Sequence, residues 1–206
     1  MLNQQHIFQK ASFLALTAGL LFASCDKDDD PVADTNTLKV VTIEDLNSGA
    51  TITDPRQADS VCFSLEKGEA VAASSADWDI KFKSTTIIFG NGASGQVVEG
   101  LLSSYEAAPE SGYVASIGGS DRADNPSYYT YTGQNTEPLH AVLMKPGRLI
   151  IVKTGKGKYA KIEMINYYKG NPKTDTPDFA DYENKRPADK HYTFKYVLQA
   201  DGTNKF

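Results

Sequence analysis

Histidine, cysteine, methionine and tryptophan are all scarce in this chain, with three, two, three and one among 206 residues. Past the N-terminal segment only His140 and His191 remain, which leaves hydrolase triads and zinc centres little to build on. The sequence also lacks a nucleophile elbow and a Cys-x-x-Cys pair. Carboxylates are the opposite case: with 26 Asp and Glu residues a pair can be found anywhere, so none identifies a reaction. The expectation is a protein that is not an enzyme. Basic residues are not in excess, since the formal charge is −5 at pH 7. It grows one unit more negative if a leader holding Lys10 and no acid is removed, and an acidic domain makes no case for nucleic acid. No apolar run reaches the ~20 residues of a membrane-spanning helix. A sustained helical period is missing as well, which sets aside helical bundles.

What is present begins with the leader. Ala11 to Ser24 has the length and composition of a signal-peptide apolar region. Ala23 and Ser24 directly before Cys25 resemble a bacterial lipobox, with residues 1–24 as the signal peptide and Cys25 acylated as the mature N-terminus. Phe22 stands where such boxes usually hold Leu, and an ordinary signal peptide cut nearby is the other reading. Asp26-Lys27-Asp28-Asp29-Asp30 cannot pack, so residues 25–37 read as a solvated tether. The run also resembles the Lys and acidic pair that directs lipoproteins of some Gram-negative anaerobes to the outer face of the outer membrane. Cys62 is then left without a partner, and its neighbours Val61 and Phe63 predict a buried, inert thiol.

Residues 38–206 read as one β-rich domain with long loops, and 40% hydrophobic residues suffice for its core. Leu38–Ile43, Val61–Leu65, Thr85–Phe89 and His191–Gln199 are predicted strands. Alternation puts Trp78, Ile80 and Phe82 on one face, with Trp78 expected in the core. Gly90 to Gly95 predicts a wide loop or bulge, and Gln96 to Ser104 fits a strand or a short helix equally. Residues 106–134 form a long, turn-rich excursion that ends in Tyr128-Tyr129-Thr130-Tyr131, either a strand with an aromatic face or a stacking surface. The best-defined element is the hairpin within Leu139–Lys169. Leu149–Val152 should be a fully buried strand, Gly155-Lys156-Gly157 the turn, and Tyr159–Met164 a strand with one wet face. Lys173–Lys190 reads as a polar surface loop.

A haem site needs an apolar slot with aromatic walls, cations for the propionates and one or two imidazole or thioether donors. The second half of the chain holds each kind of residue. His140 and Met144 stand on the lip of the hairpin, with Lys145 and Arg148 nearby and tyrosines on both sides. Each has a plain structural reading too, methionine as a gap-filler and histidine as a hydrogen-bonded framework residue.

Several segments together resemble the HmuY family of secreted haem-binding lipoproteins. These are the lipobox and acidic tether, Asp77–Phe82, Asn91–Gly95, Pro109–Tyr113, His140–Pro146 leading into Lys158–Ile162, Tyr167–Lys169, and Tyr192–Tyr196 with Asp201-Gly202. The resemblance implies an all-β HmuY-like fold with few short helices and a haem pocket at one end. It also implies a non-catalytic role, with haem captured at the cell surface and passed to an outer-membrane receptor. Members hold the iron through a His pair or a Met pair. One ligand is implied within Leu139–Pro146, which nominates Met144 and then His140. The other is implied within about residues 118–131, a stretch with neither His nor Met. Three arrangements are open there: Tyr128 or Tyr129 as ligand, iron held from one side only, or loss of haem binding. The rival expectation is a family-like surface module for a glycan or a protein partner.

Overall fold

Alternation of apolar and polar side chains sorts the strands into sheets and decides which face of each sheet is inside. The computed structural model describes residues 38–48, 60–119 and 126–206, all within a compact unit spanning Thr37–Phe206. The leader, Cys25 and the tether lie outside the described residues. Twelve strands and one short helix are described, in this order: β1 Val40–Asn47, β2 Ser60–Ser64, β3 Glu69–Val71, β4 Ile80–Lys83, β5 Thr86–Phe89, β6 Ser94–Glu99, β7 Ser116–Ile117, β8 Tyr129–Tyr131, β9 Val142–Met144, β10 Arg148–Lys153, β11 Tyr159–Asn166, α1 Pro177–Ala180 and β12 His191–Gln199. They form two five-stranded antiparallel sheets, β1-β12-β11-β10-β6 and β3-β2-β4-β5-β7, and a two-stranded ribbon of β8 and β9.

The fold is therefore β-rich, and its core lies between the two large sheets. Phe63, Ile80, Phe82, Ile87 and Phe89 from one sheet meet Ile150, Val152, Ile162, Phe194 and Tyr196 from the other. Aromatic contacts cross that gap: Phe82 stacks on Tyr192 at 4.5 Å and Phe63 meets Phe194 edge-on at 5.4 Å. Aromatic pairs of this kind fix the relative seating of the sheets beyond what burial alone would do.

The hairpin forms as β10 and β11, closed by a turn in which Thr154 accepts from Gly157 N and donates its own N–H to Lys158 O. Its wet face, however, is covered. The registers place Val197, Lys161, Ile151 and Gln96 in one row across the outer face of the sheet. Residues 101–113 and the C-terminal segment fold over it, so that Leu102, Ala108, Leu149, Ile151 and Val197 form a second, smaller core. Lys161, predicted to face water, is only 6% exposed. Its ammonium donates to the Tyr105 carbonyl at 2.8 Å and lies 4.9 Å from the Phe206 ring.

Trp78 also departs from expectation. It precedes β4 and is half-buried, with its ring against Gly90 and the Lys81 ammonium 4.9 Å above it. The alternation that sets Ile80 and Phe82 inward does not extend back to it. Gln96–Glu99 continues β6, which settles the strand-or-helix question for that stretch. Cys62 is buried, and burial raises its thiol pKa against a weaker pull from Lys81, which keeps the thiolate scarce.

Candidate functional site

One end of the sandwich is built largely from tyrosine. The turn between β4 and β5 receives hydroxyls from three directions: Tyr192 donates to Ser84 O at 2.8 Å, Tyr128 to Thr85 O at 2.8 Å and Tyr129 to Thr85 Oγ1 at 3.1 Å. Tyr167, just past β11, has its hydroxyl 3.2 Å from Ser84 Oγ, and the Tyr168 hydroxyl accepts from Val142 N at 2.9 Å. These bonds make a rigid floor, because each phenol is fixed by packing at the ring and by a partner at the tip.

Above that floor opens a cleft of about 940 Å³. Its walls come from the β4–β5 turn, from β8, from the His140–Lys145 segment and from the Tyr182–Asp189 loop. Pairing of β8 with β9 is what joins β8 to the His140–Lys145 segment: Tyr129 stands opposite Met144, Thr130 opposite Leu143 and Tyr131 opposite Val142. The end of the excursion and the lip of the hairpin are thus one ribbon.

His140 is held at this cleft from every side. Its backbone takes the left-handed conformation, φ 53°, which is uncommon for a residue other than glycine. Its N–H donates to Gly133 O at 2.7 Å, and its carbonyl accepts from Arg186 Nη1 at 3.1 Å. Nδ1 lies 2.8 Å from the Tyr131 hydroxyl, and the Tyr182 ring meets the imidazole edge-on at 5.3 Å. Only Nε2 has no hydrogen-bond partner among the described residues. A side chain locked by its neighbours with one donor atom left over has the character of a binding group.

Arg186 is the second unusual residue. Its guanidinium lies 4.6 Å from the Phe179 ring centre and 5.6 Å from that of Tyr182, and its Nε donates to Phe179 O at 2.8 Å. Nη2 is buried without a hydrogen-bond partner, and Arg186 makes no ion pair among the described residues. A cation packed among rings and without an ion-pair partner among the described residues favours an anionic ligand nearby. α1 helps to set this wall. Thr176 caps it by accepting from Phe179 N, which seats the buried Phe179 under Arg186 and Tyr168.

The residues nominated from the sequence fall in different places. His140 and Tyr129 line the cleft. Met144 does not: it packs at the margin of the main core and lines a separate cavity of about 370 Å³ with Asn166 and Asn171. Tyr128 is buried in the floor, and burial holds its phenol pKa well above the ordinary range, which opposes the phenolate form that iron ligation requires. Met144 and Tyr129 stand directly opposite in the ladder, yet Tyr129 lines the cleft and Met144 the separate cavity. Tyr131, Tyr182 and Arg186 were not nominated. His191, the other histidine of the domain, keeps its Nδ1 2.8 Å from the Asp189 carbonyl and reads as framework.

Fold and site together define an antiparallel β-sandwich with a tyrosine-floored cleft at one end. No protein-family model matches the chain, and no curated protein matches it. Among solved structures it is similar to the apo HmuY analogue of Tannerella forsythia, at 16% identity over 79% of this chain and 95% of that one, with a TM-score of 0.47. An HmuY-like protein of Bacteroides vulgatus gives 13% identity, 78% and 91% coverage and a TM-score of 0.46. Apo PinO from Porphyromonas gingivitis gives 18%, 78%, 98% and 0.44. The first two carry the name of the family that the sequence motifs resemble. At these identities the likeness is one of chain course, and what the cleft does follows from its own residues.

Proposed function

We propose that this chain is a surface-anchored lipoprotein that binds haem in the tyrosine-floored cleft and passes it to an outer-membrane receptor, with no catalytic step. The observation that bears this reading is His140, whose backbone N–H, carbonyl and Nδ1 are all engaged while Nε2 is left over at a cleft wall. The residues fit the group. The cavity falls within the ~300–1,000 Å³ of small-molecule sites, its walls are aromatic, and Arg186 supplies a positive charge without a carboxylate partner among the described residues. Bound there, haem would supply an iron with open axial positions and two propionates. His140 would be the imidazole donor, Arg186 the charge on the propionate side, and the floor tyrosines the dry surface beneath. Anchoring at Cys25 and exposure at the outer membrane rest on the lipobox and the acidic run after it.

Titrating Fe(III) haem into the purified chain tests this reading. A saturable change in the haem absorption band is expected; its absence under both oxidising and reducing conditions would contradict the proposal. The second reading, a glycan or protein module on the same scaffold, is favoured by Tyr131 and Tyr182, 56% and 41% exposed at the cleft mouth. Rings presented in this way suit stacking on sugars, and oligosaccharide binding that survives His140→Ala would select it.

A further inference from the structure

Tyr131 is the most exposed of the tyrosines in the cleft wall, yet its hydroxyl is not idle: it lies 2.8 Å from Nδ1 of His140. Two proton arrangements satisfy that distance, and they have opposite consequences. If the phenol donates, Nδ1 is the acceptor and Nε2 must bear the proton, so the atom left to the ligand is an N–H donor with no lone pair. If Nδ1–H donates, the phenol oxygen accepts and Nε2 keeps its lone pair.

We propose that Tyr131 is a positioning residue for His140: its oxygen accepts from Nδ1–H, and this bond fixes the tautomer that turns an unprotonated Nε2 toward the cleft. The inference rests on the haem reading of the cleft and deepens it. Three features of the site support it. Gly133 and Arg186 already pin the backbone of His140, so the ring has no freedom to exchange its two nitrogens by a movement of the chain. The Tyr182 ring, 5.3 Å away and edge-on, limits rotation about the side chain. β8 holds Tyr131 itself through its pairing with Val142, close in sequence to the imidazole it orients. A metal-ligating imidazole whose other nitrogen donates to an oxygen is oriented and made more basic by that bond. The Tyr131 hydroxyl, 2.8 Å from Nδ1, is well placed to be that oxygen.

The test uses Tyr131→Phe in the full chain, with Fe(III) protoporphyrin IX and metal-free protoporphyrin IX as probes and ¹⁵N NMR of His140 in the unliganded protein. Three results are expected. Affinity for the iron porphyrin falls about tenfold or more, as removal of such a partner does elsewhere, while affinity for the metal-free porphyrin is unchanged. In a His140→Ala background the same substitution adds nothing. The imidazole is protonated at Nδ1 in the parent chain and loses that preference in Tyr131→Phe. Equal losses for both porphyrins, an unchanged iron affinity, or a parent imidazole protonated at Nε2 would each overturn the proposal. If the parent chain binds neither porphyrin, the reading of the cleft falls, and the tautomer measurement still decides the role of Tyr131.

Discussion

Lys161 shows how a single residue can be misplaced by pattern alone. In the alternation of β11 it occupies a position for solvent, but the second core closes over it, and its ammonium donates to the Tyr105 carbonyl. Burial lowers its pKa from the ordinary lysine value, because a charge taken out of water is disfavoured relative to the neutral amine. The sign of the consequence is fixed. Between the depressed folded pKa and the ordinary one, the unfolded chain binds more protons, so this residue makes stability rise with pH across that window. Urea unfolding of the parent and of Lys161→Met, followed from pH 7 to 10.5, should show the parent gaining on the variant as pH climbs. Parallel curves would contradict the burial argument.

The two glycines in the turn of the β10–β11 hairpin are needed for different reasons. A Cβ on Gly155 would fall 1.9 Å from the carbonyl oxygen of Asn91, so the turn and the Gly90–Gly95 connection could not approach as they do. A Cβ on Gly157 would meet nothing within 4 Å, but its φ of +78° is left-handed. Gly155→Ala should therefore destabilise by about 1–3 kcal/mol or more through overpacking, with no relief from Asn at the same position. Gly157→Ala should cost about 1 kcal/mol, and Gly157→Asn should recover most of that, since Asn tolerates the left-handed region. Thermal unfolding of the four variants separates the two causes. At this scale much was legible in the sequence. The hairpin and β12 could be read from β-branched and aromatic alternation because each strand is long enough to show the period. β3 and β9 could not, being three residues each, and β9 exists only because β8 arrives beside it.

For the whole molecule, the cleft is a product of convergence. Its walls come from segments that begin near Ser84 and end near Asp189, and no local pattern announces that they meet. The chemistry of His140 could be read from its scarcity, and the tyrosine run before it was visible as a run. Tyr182 and Arg186 sat in a stretch read as surface loop, and only α1, with Phe179 buried beneath it, turns that stretch inward. The resemblance nominated a donor in residues 139–146, Met144 first and His140 second. Packing separates them, since Met144 turns to another cavity while His140 stands in the cleft wall. Arg186 ties the two loops together by bonding the carbonyls of both Phe179 and His140. The most direct measurement is Fe(III) haem titration of the parent, His140→Ala and Met144→Ala chains side by side, read in the absorption band. Saturable binding in the parent and in Met144→Ala, with its loss or severe weakening in His140→Ala, is the predicted result. Binding that survives His140→Ala, or that fails in Met144→Ala alone, would contradict the account.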